Sequence, residues 1–223
     1  MEMVYAIISF DFNQELKSNR MKNLEMLRGN MISKFRNEIR VHNHFEDGKS
    51  VYKFPEVQYK YIKNKLSIMF LNDIDLIMKI MKDIKKIKMG EIEYTDFKKD
   101  VVIKEYDVKY IENDFITYEF VSDYIPFNQK NYDLYLKANY SLEKAIINNI
   151  LEFLKGIGLR LNEDEIIRVE KINLNKQNKI VMKNTEFLTF KLSFATNVDL
   201  PNYISLGKRK SIGFGVIKKK TNK

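Results

Sequence analysis

An α+β chain of two tandem halves is what three features of this sequence predict. Short apolar and β-branched runs alternate with amphipathic helical stripes, the alternation restarts beyond Gly90, and 223 residues with 44% hydrophobic side chains suffice for two small cores. The first half reads strand, helix, strands, helix, strand, the ferredoxin-like (RRM-like) arrangement of an antiparallel sheet covered on one face by helices, and the second half restarts that pattern. The second half is less regular than the first.

In the first half, Val4 to Phe10 is a short apolar run and reads as a buried strand. Leu24, Leu27, Met31 and Phe35 recur at spacings of three and four, which lays one apolar stripe along residues 21–37 and predicts a helix. Residues 39–45 and 51–62 read as strands around the turn signal Glu46-Asp47-Gly48-Lys49, and Leu66 to Leu71 as another. Asp73 and Asp75 open a second helix, whose Ile77, Ile80, Met81, Ile84 and Ile87 repeat the stripe and which Gly90 ends.

The boundary falls near residue 113, giving expected domains 1–112 and 113–223. Strands near 101–110 and 115–124 lead to a helix from Ser141 to Lys155, carrying Leu142, Ile146, Ile150, Phe153 and Leu154 and stopped by Gly156 and Gly158. Strands at about 165–174, 178–183 and 186–195 follow. No helical stripe lies between residues 196 and 212, and a glycine loop stands in its place before a last strand, Phe214 to Ile217.

That loop, Gly207-Lys208-Arg209-Lys210-Ser211-Ile212-Gly213-Phe214-Gly215, frames three consecutive cations with glycines. Glycine permits positive φ and close approach of main chain, so N–H groups can converge beside Lys and Arg on an anion. Residues 208–223 carry seven Lys or Arg and no acid; without them 32 basic residues face 30 acidic ones, and the net charge falls from +9 to +2. Basicity concentrated in this way is the footprint of a nucleic-acid binder.

The two histidines of the chain sit together in Val41-His42-Asn43-His44-Phe45. On a strand, positions i and i+2 share a face, so both imidazoles could converge on one substrate. Imidazole exchanges protons near neutral pH, and the nearby Tyr52 and Lys53 could donate to a developing anion, a set suited to RNA cleavage without metal. The pair with Glu46 and Asp47 is a weak metal cluster, and zero cysteines exclude disulfides and thiolate sites, so neither metal nor cofactor is expected. Met1 to Phe10 is too short for a signal peptide and no apolar run approaches membrane-spanning length, which leads us to expect a soluble cytoplasmic protein.

At these residues the chain resembles the CRISPR-associated repeat-RNA processing endoribonucleases, the sixth Cas family of the RAMP superfamily, in the branch serving subtype I-B systems. Four blocks carry the likeness: Leu27-Arg28-Gly29; His42-Asn43-His44 with Val51 to Lys60; Tyr124-Ile125-Pro126-Phe127-Asn128 with Asn131-Tyr132; and Gly207 to Gly215. The resemblance implies His44 as leading acid/base, His42 as a second imidazole and Tyr52 as a donor near the scissile phosphate. It implies RNA contacts from Gly207, Lys208, Arg209, Lys210, Ser211, Gly213, Phe214, Gly215, Lys53 and Arg28. A prokaryotic protein is implied, cutting CRISPR precursor RNA to leave a 2′,3′-cyclic phosphate and a 5′-hydroxyl. CRISPR repeat RNA is its partner, with a second copy of the chain or subunits of an interference complex as further ones. The alternative is a RAMP-type subunit that holds RNA without cutting, which needs the glycine loop but not the paired histidines.

Overall fold

The computed structural model describes residues 2–42, 54–182 and 184–221, the side chains of Ile39 and His42 excepted. It divides into two compact units, one of residues 2–106 with 211–213, the other of residues 107–210 with 214–223. In the first, β1 (Glu2–Phe12), α1 (Arg20–Lys34), a single helical turn α2 (Ile39–His42), β2 (Val57–Ile62), β3 (Lys65–Leu71), α3 (Ile74–Asp83), the short pair β4 (Ile87–Met89) and β5 (Ile92–Tyr94), and β6 (Phe97–Asp107) follow in order. The sheet order is β2-β3-β1-β6, with β3 antiparallel to both β1 and β2. The first sheet strand thus lies between the third and the fourth, as the ferredoxin-like reading requires.

Strand periodicity puts Ala6, Ile8 and Phe10 of β1 on one face, where they join Leu24, Leu27 and Met31 of α1 and Ile77 and Ile80 of α3 in a single core. Both helices start where a side chain can satisfy an orphan amide: Asn19 accepts from Lys22 N at 2.9 Å and Asp73 from Leu76 N at 3.0 Å.

Residues 39–42 form a helical turn where the sequence pattern predicts a strand. β-branched Ile39 and Val41 carry the strand signal, but tertiary contacts override it. Glu38 N donates to Phe35 O and Val41 N to Glu38 O, coiling the chain directly off α1. Val41 is 1% exposed in the core, while Arg40 is gripped by Asp73 and, at 2.7 Å, by Glu38. His42 closes this turn, so the face-sharing argument from strand geometry does not hold at that residue.

The second unit runs β7 (Lys109–Tyr110), β8 (Ile116–Phe120), α4 (Gln129–Leu136), α5 (Leu142–Gly156), β9 (Val169–Met182), β10 (Thr185–Thr196), β11 (Val198–Asp199) and β12 (Ile217–Lys219). Its sheet, β12-β8-β10-β9, repeats the order of the first. The segments predicted as separate strands at 165–174 and 178–183 are one strand of 14 residues, because β9 pairs with β10 throughout and the ladder absorbs irregularities at Lys191/Leu192 and Ser193/Ala195. The connection from β10 to β12, all of it described, forms no helix. Leu200, Ile204, Leu206, Phe214 and Val216 are buried along that connection and supply the apolar cover a helix would have given. Among the described residues no helix is long and apolar enough to cross a membrane.

Candidate nucleic-acid interface

The glycine loop is fixed by the chain's own backbone. Gly207 has φ +84°, and a Cβ there would stand 2.5 Å from Ile125 O and 2.7 Å from the Tyr124 ring. Gly215, at φ +65°, would place a Cβ 1.8 Å from Leu206 O. The N–H of Lys208 donates to Ile125 O and that of Gly215 to Asp123 O, each at 2.8 Å. At these positions glycine serves close packing of one segment on another, whereas the sequence pattern suggested open main chain awaiting an anion.

Tyr124 is the floor beneath Gly207. Its ring stacks on Phe120 at 4.0 Å and its hydroxyl accepts from Asn149 Nδ2 of α5 at 2.6 Å, burial pushing that hydroxyl's pKa well above the ordinary phenol value. Its place in one of the resemblance blocks therefore has a structural reason.

The three cations of the loop diverge. Lys208 is exposed. Arg209 is half-buried, takes a left-handed conformation (φ 57°), and lays its guanidinium 5.6 Å from the centroid of Phe187, within cation–π range. Lys210 turns inward, 8% exposed, and pairs with Glu152 of α5 at 2.6 Å. Burial lowers its ammonium's pKa, with the Glu152 carboxylate pulling the other way. Two of the three cations are therefore presented outward, and the third tethers the loop.

Beside Arg209 a pocket of about 340 Å³ opens within the second unit, its walls including Phe127, Asn128, Tyr132, Phe187, Lys208 and Arg209. Asn128 caps α4, accepting from Asn131 N at 2.8 Å, which brings Tyr132 to the pocket one turn later. Phe127 rests on Tyr135 (4.6 Å between centroids) and edge-on against Phe190 (6.0 Å), so the apolar floor is rigidly backed. Sequence reasoning did not assign Phe127, Asn128, Tyr132 or Phe187 to RNA. Three of them lie in a resemblance block, but Phe187 is one apolar residue among several in β10 and carries no local signal.

Ser211 and Gly213 belong to the first unit. Tyr59 N of β2 donates to Ser211 O at 2.9 Å, Ile212 makes a parallel bridge to Tyr59, and Gly213 (φ +87°) would bring a Cβ to 2.5 Å from a methyl of Leu24. Phe214 is buried. Arg28, half-buried on α1, is close enough for its charge to favour ionisation of the Tyr59 hydroxyl, which burial opposes more strongly. That hydroxyl donates to Val41 O at 3.3 Å, one residue before His42.

Lys60 is fully buried, its Nζ 2.6 Å from Gln58 Oε1, and burial holds its pKa well below the ordinary value. Lys34 donates to the carbonyl of Asp83. His44, Tyr52 and Lys53, with the side chain of His42, lie outside the described residues.

Comparison with known proteins gives a consistent result along the whole chain. The family model of the Cas6b N-terminal domain matches residues 1–107 and that of the Cas6b C-terminal domain residues 110–220. A crystal structure of Cas6b is 26% identical, with a TM-score of 0.84 over 99% of this chain and 100% of that one. A structure described as the CRISPR RNA processing endoribonuclease Cas6b (24% identity, TM-score 0.71) and one of Thermus thermophilus Cas6 (8%, TM-score 0.58) share the fold; this chain is covered to 99% in both, and those chains to 100% and 99%. An uncharacterized protein of Methanocaldococcus jannaschii is 29% identical over 113 residues, 48% of this chain and 74% of that protein. Two domain models in the expected order, over a doubled sheet of one topology, settle the assignment: the chain belongs to the Cas6b family.

Proposed function

We propose that this chain is a metal-independent endoribonuclease that cuts CRISPR precursor transcripts within their repeats to release guide RNAs. The observation that carries the proposal is the match of both Cas6b domain models, in order, over almost the entire chain. In this reading residues 1–112 cut and residues 113–223 grip. An imidazole, His44 first and His42 second, removes the proton of a ribose 2′-hydroxyl. The 2′-oxygen attacks the adjacent phosphorus, and the 5′-oxygen leaves with a proton from a second donor, for which Tyr52 is the candidate. The products carry a 2′,3′-cyclic phosphate and a 5′-hydroxyl. Lys53 and Arg28 would hold phosphates near the scissile bond, and Lys208 and Arg209 would hold the strand further on, while Lys210 keeps their loop in place. A second copy of the chain would share the RNA during this step, and an interference complex would act after it, in the prokaryotic cytoplasm.

The test is incubation with the CRISPR repeat RNA of the same genome in EDTA, followed by end-group analysis. One cut with a cyclic-phosphate end is the expected result, and His44→Ala should slow it by about 10²- to 10⁴-fold with binding kept. Tight binding with no cut would instead identify a binding subunit, and a cut that EDTA abolishes would overturn the metal-free chemistry.

A further inference from the structure

We propose that the pocket beside Arg209 receives one unpaired nucleobase of the bound RNA; the inference rests on the functional reading above and adds a base-recognising subsite to it. At about 340 Å³ the pocket lies at the small end of the roughly 300–1,000 Å³ typical of ligand sites, sized for one flat ring system and not for a stem. Its floor is Phe127 on its aromatic backing, and its rim carries Phe187 with the Arg209 guanidinium above that ring. A planar cation over an aromatic ring is a stacking surface for a base and a counter-charge for its phosphate at once.

Two details make this a built arrangement. Arg209 occupies left-handed backbone, which residues with a Cβ seldom adopt, and Gly207 and Lys208 are locked onto Ile125, itself a lining residue. Exposed Lys208 stands at the same rim, where a phosphate adjoining an inserted base would fall. The carboxylate among the described lining residues, Glu186, is engaged by Lys179 at 2.8 Å, which reduces its repulsion of a phosphate. Among the lining residues Asn128, whose Oδ1 caps α4, keeps its Nδ2 as a donor, and Thr185 adds a hydroxyl, so the pocket can prefer one base over another.

The experiment places 2-aminopurine singly at each position of the same repeat RNA and reads its fluorescence and affinity with the full chain. Quenching confined to one position is expected. In Phe187→Ala that quenching should vanish and affinity fall roughly 5- to 150-fold, the range for loss of one stacking contact. Arg209→Lys keeps the charge and loses the plane, so it should lose the quenching while retaining the salt dependence of binding, a readout that survives even if the Phe187 variant folds poorly. Binding and cutting with no position singled out, or with both variants quenched as in the unsubstituted protein, would overturn the pocket alone. Failure of the unsubstituted protein to bind the repeat RNA would overturn the functional reading and the pocket together.

Discussion

The two sheets share one strand order, yet their third and fourth strands are joined in different ways. In the first unit the joint includes α3, an amphipathic helix that drives Leu76, Ile77 and Ile80 into the core and starts on the Asp73 cap. In the second it is a helix-free crossing whose buried Leu200, Ile204, Leu206 and Phe214 do the covering while Lys208 and Arg209 stay outside. A helix divides its residues between core and solvent by a fixed period, and each can be changed nearly independently. A loop held by glycine-on-carbonyl contacts has no such redundancy. It gains freedom to present cations in an irregular array, and its geometry depends on a few positions with no tolerance.

The sharpest way to break this contrast is Gly215→Ala. Its Cβ would sit 1.8 Å from a main-chain oxygen at φ +65°, so we expect a loss of about 4 kcal/mol or more, the range reserved for such backbone conflicts, read by urea denaturation. A loss below about 1 kcal/mol would show that the loop yields as freely as a surface turn.

Next in size is a pH effect that separates two buried lysines. The folded-state pKa of Lys60 lies well below the ordinary 10.5, so between those values the unfolded chain binds a proton that the folded chain does not. Stability therefore climbs with pH through that window, by up to about 1.4 kcal/mol per pH unit, and is lost as pH falls through the folded value. Lys60→Met should flatten the slope, although it removes the partner of the Gln58 carbonyl. Lys210→Met should change the slope less, since Glu152 offsets burial there. Equal slopes would mean that the two environments do not differ.

Smaller again, Asp73→Ala should cost about 1–2 kcal/mol through joint loss of the α3 cap and of the pair with Arg40, without abolishing folding of the first sheet. The smallest effect has the opposite sign. A Cβ at helical Gly29 meets nothing within 4 Å, so Gly29→Ala should stabilise by about 0.5–1 kcal/mol in thermal melts.

The sequence reveals the regular parts well, for a physical reason. Stripes such as Leu24-Leu27-Met31 or Leu76-Ile77-Ile80 encode burial locally, and burial decides those helices, although the second stripe does not hold the helix to Gly90 as expected: α3 ends at Asp83, and the buried Ile87 falls in β4. It is silent where the decision is tertiary. α4 contributes no buried residue in its eight, so it shows no stripe, and only Asn128 after Pro126 marks its start. Residues 39–42 coil because Arg40 has carboxylates on two sides, one of them 33 residues away. Asn175 to Asn178 resembles a turn in composition, but continuous pairing with β10 holds it extended. At the interface, the concentration of charge in the loop was legible, but the inward turn of Lys210 was not, because only the fold brings Glu152 beside it. Phe187 becomes interesting only once Arg209 lies over it.

The bond from Tyr59 N to Ser211 O bears on how the protein is made. β2 is one of the two edge strands of its sheet, and an unpaired strand edge invites pairing with other chains. The strands and helices of the first unit have all been synthesised once β6 is complete, but the segment that covers this edge emerges roughly a hundred residues later, about 5–20 s at ~5–20 residues per second. During that interval a nascent chain carries its first sheet without the backbone partners that Ser211 and Ile212 later give to β2. Ribosome-held chains ending shortly after Asp107 should therefore associate with one another more readily than chains extended past Gly213.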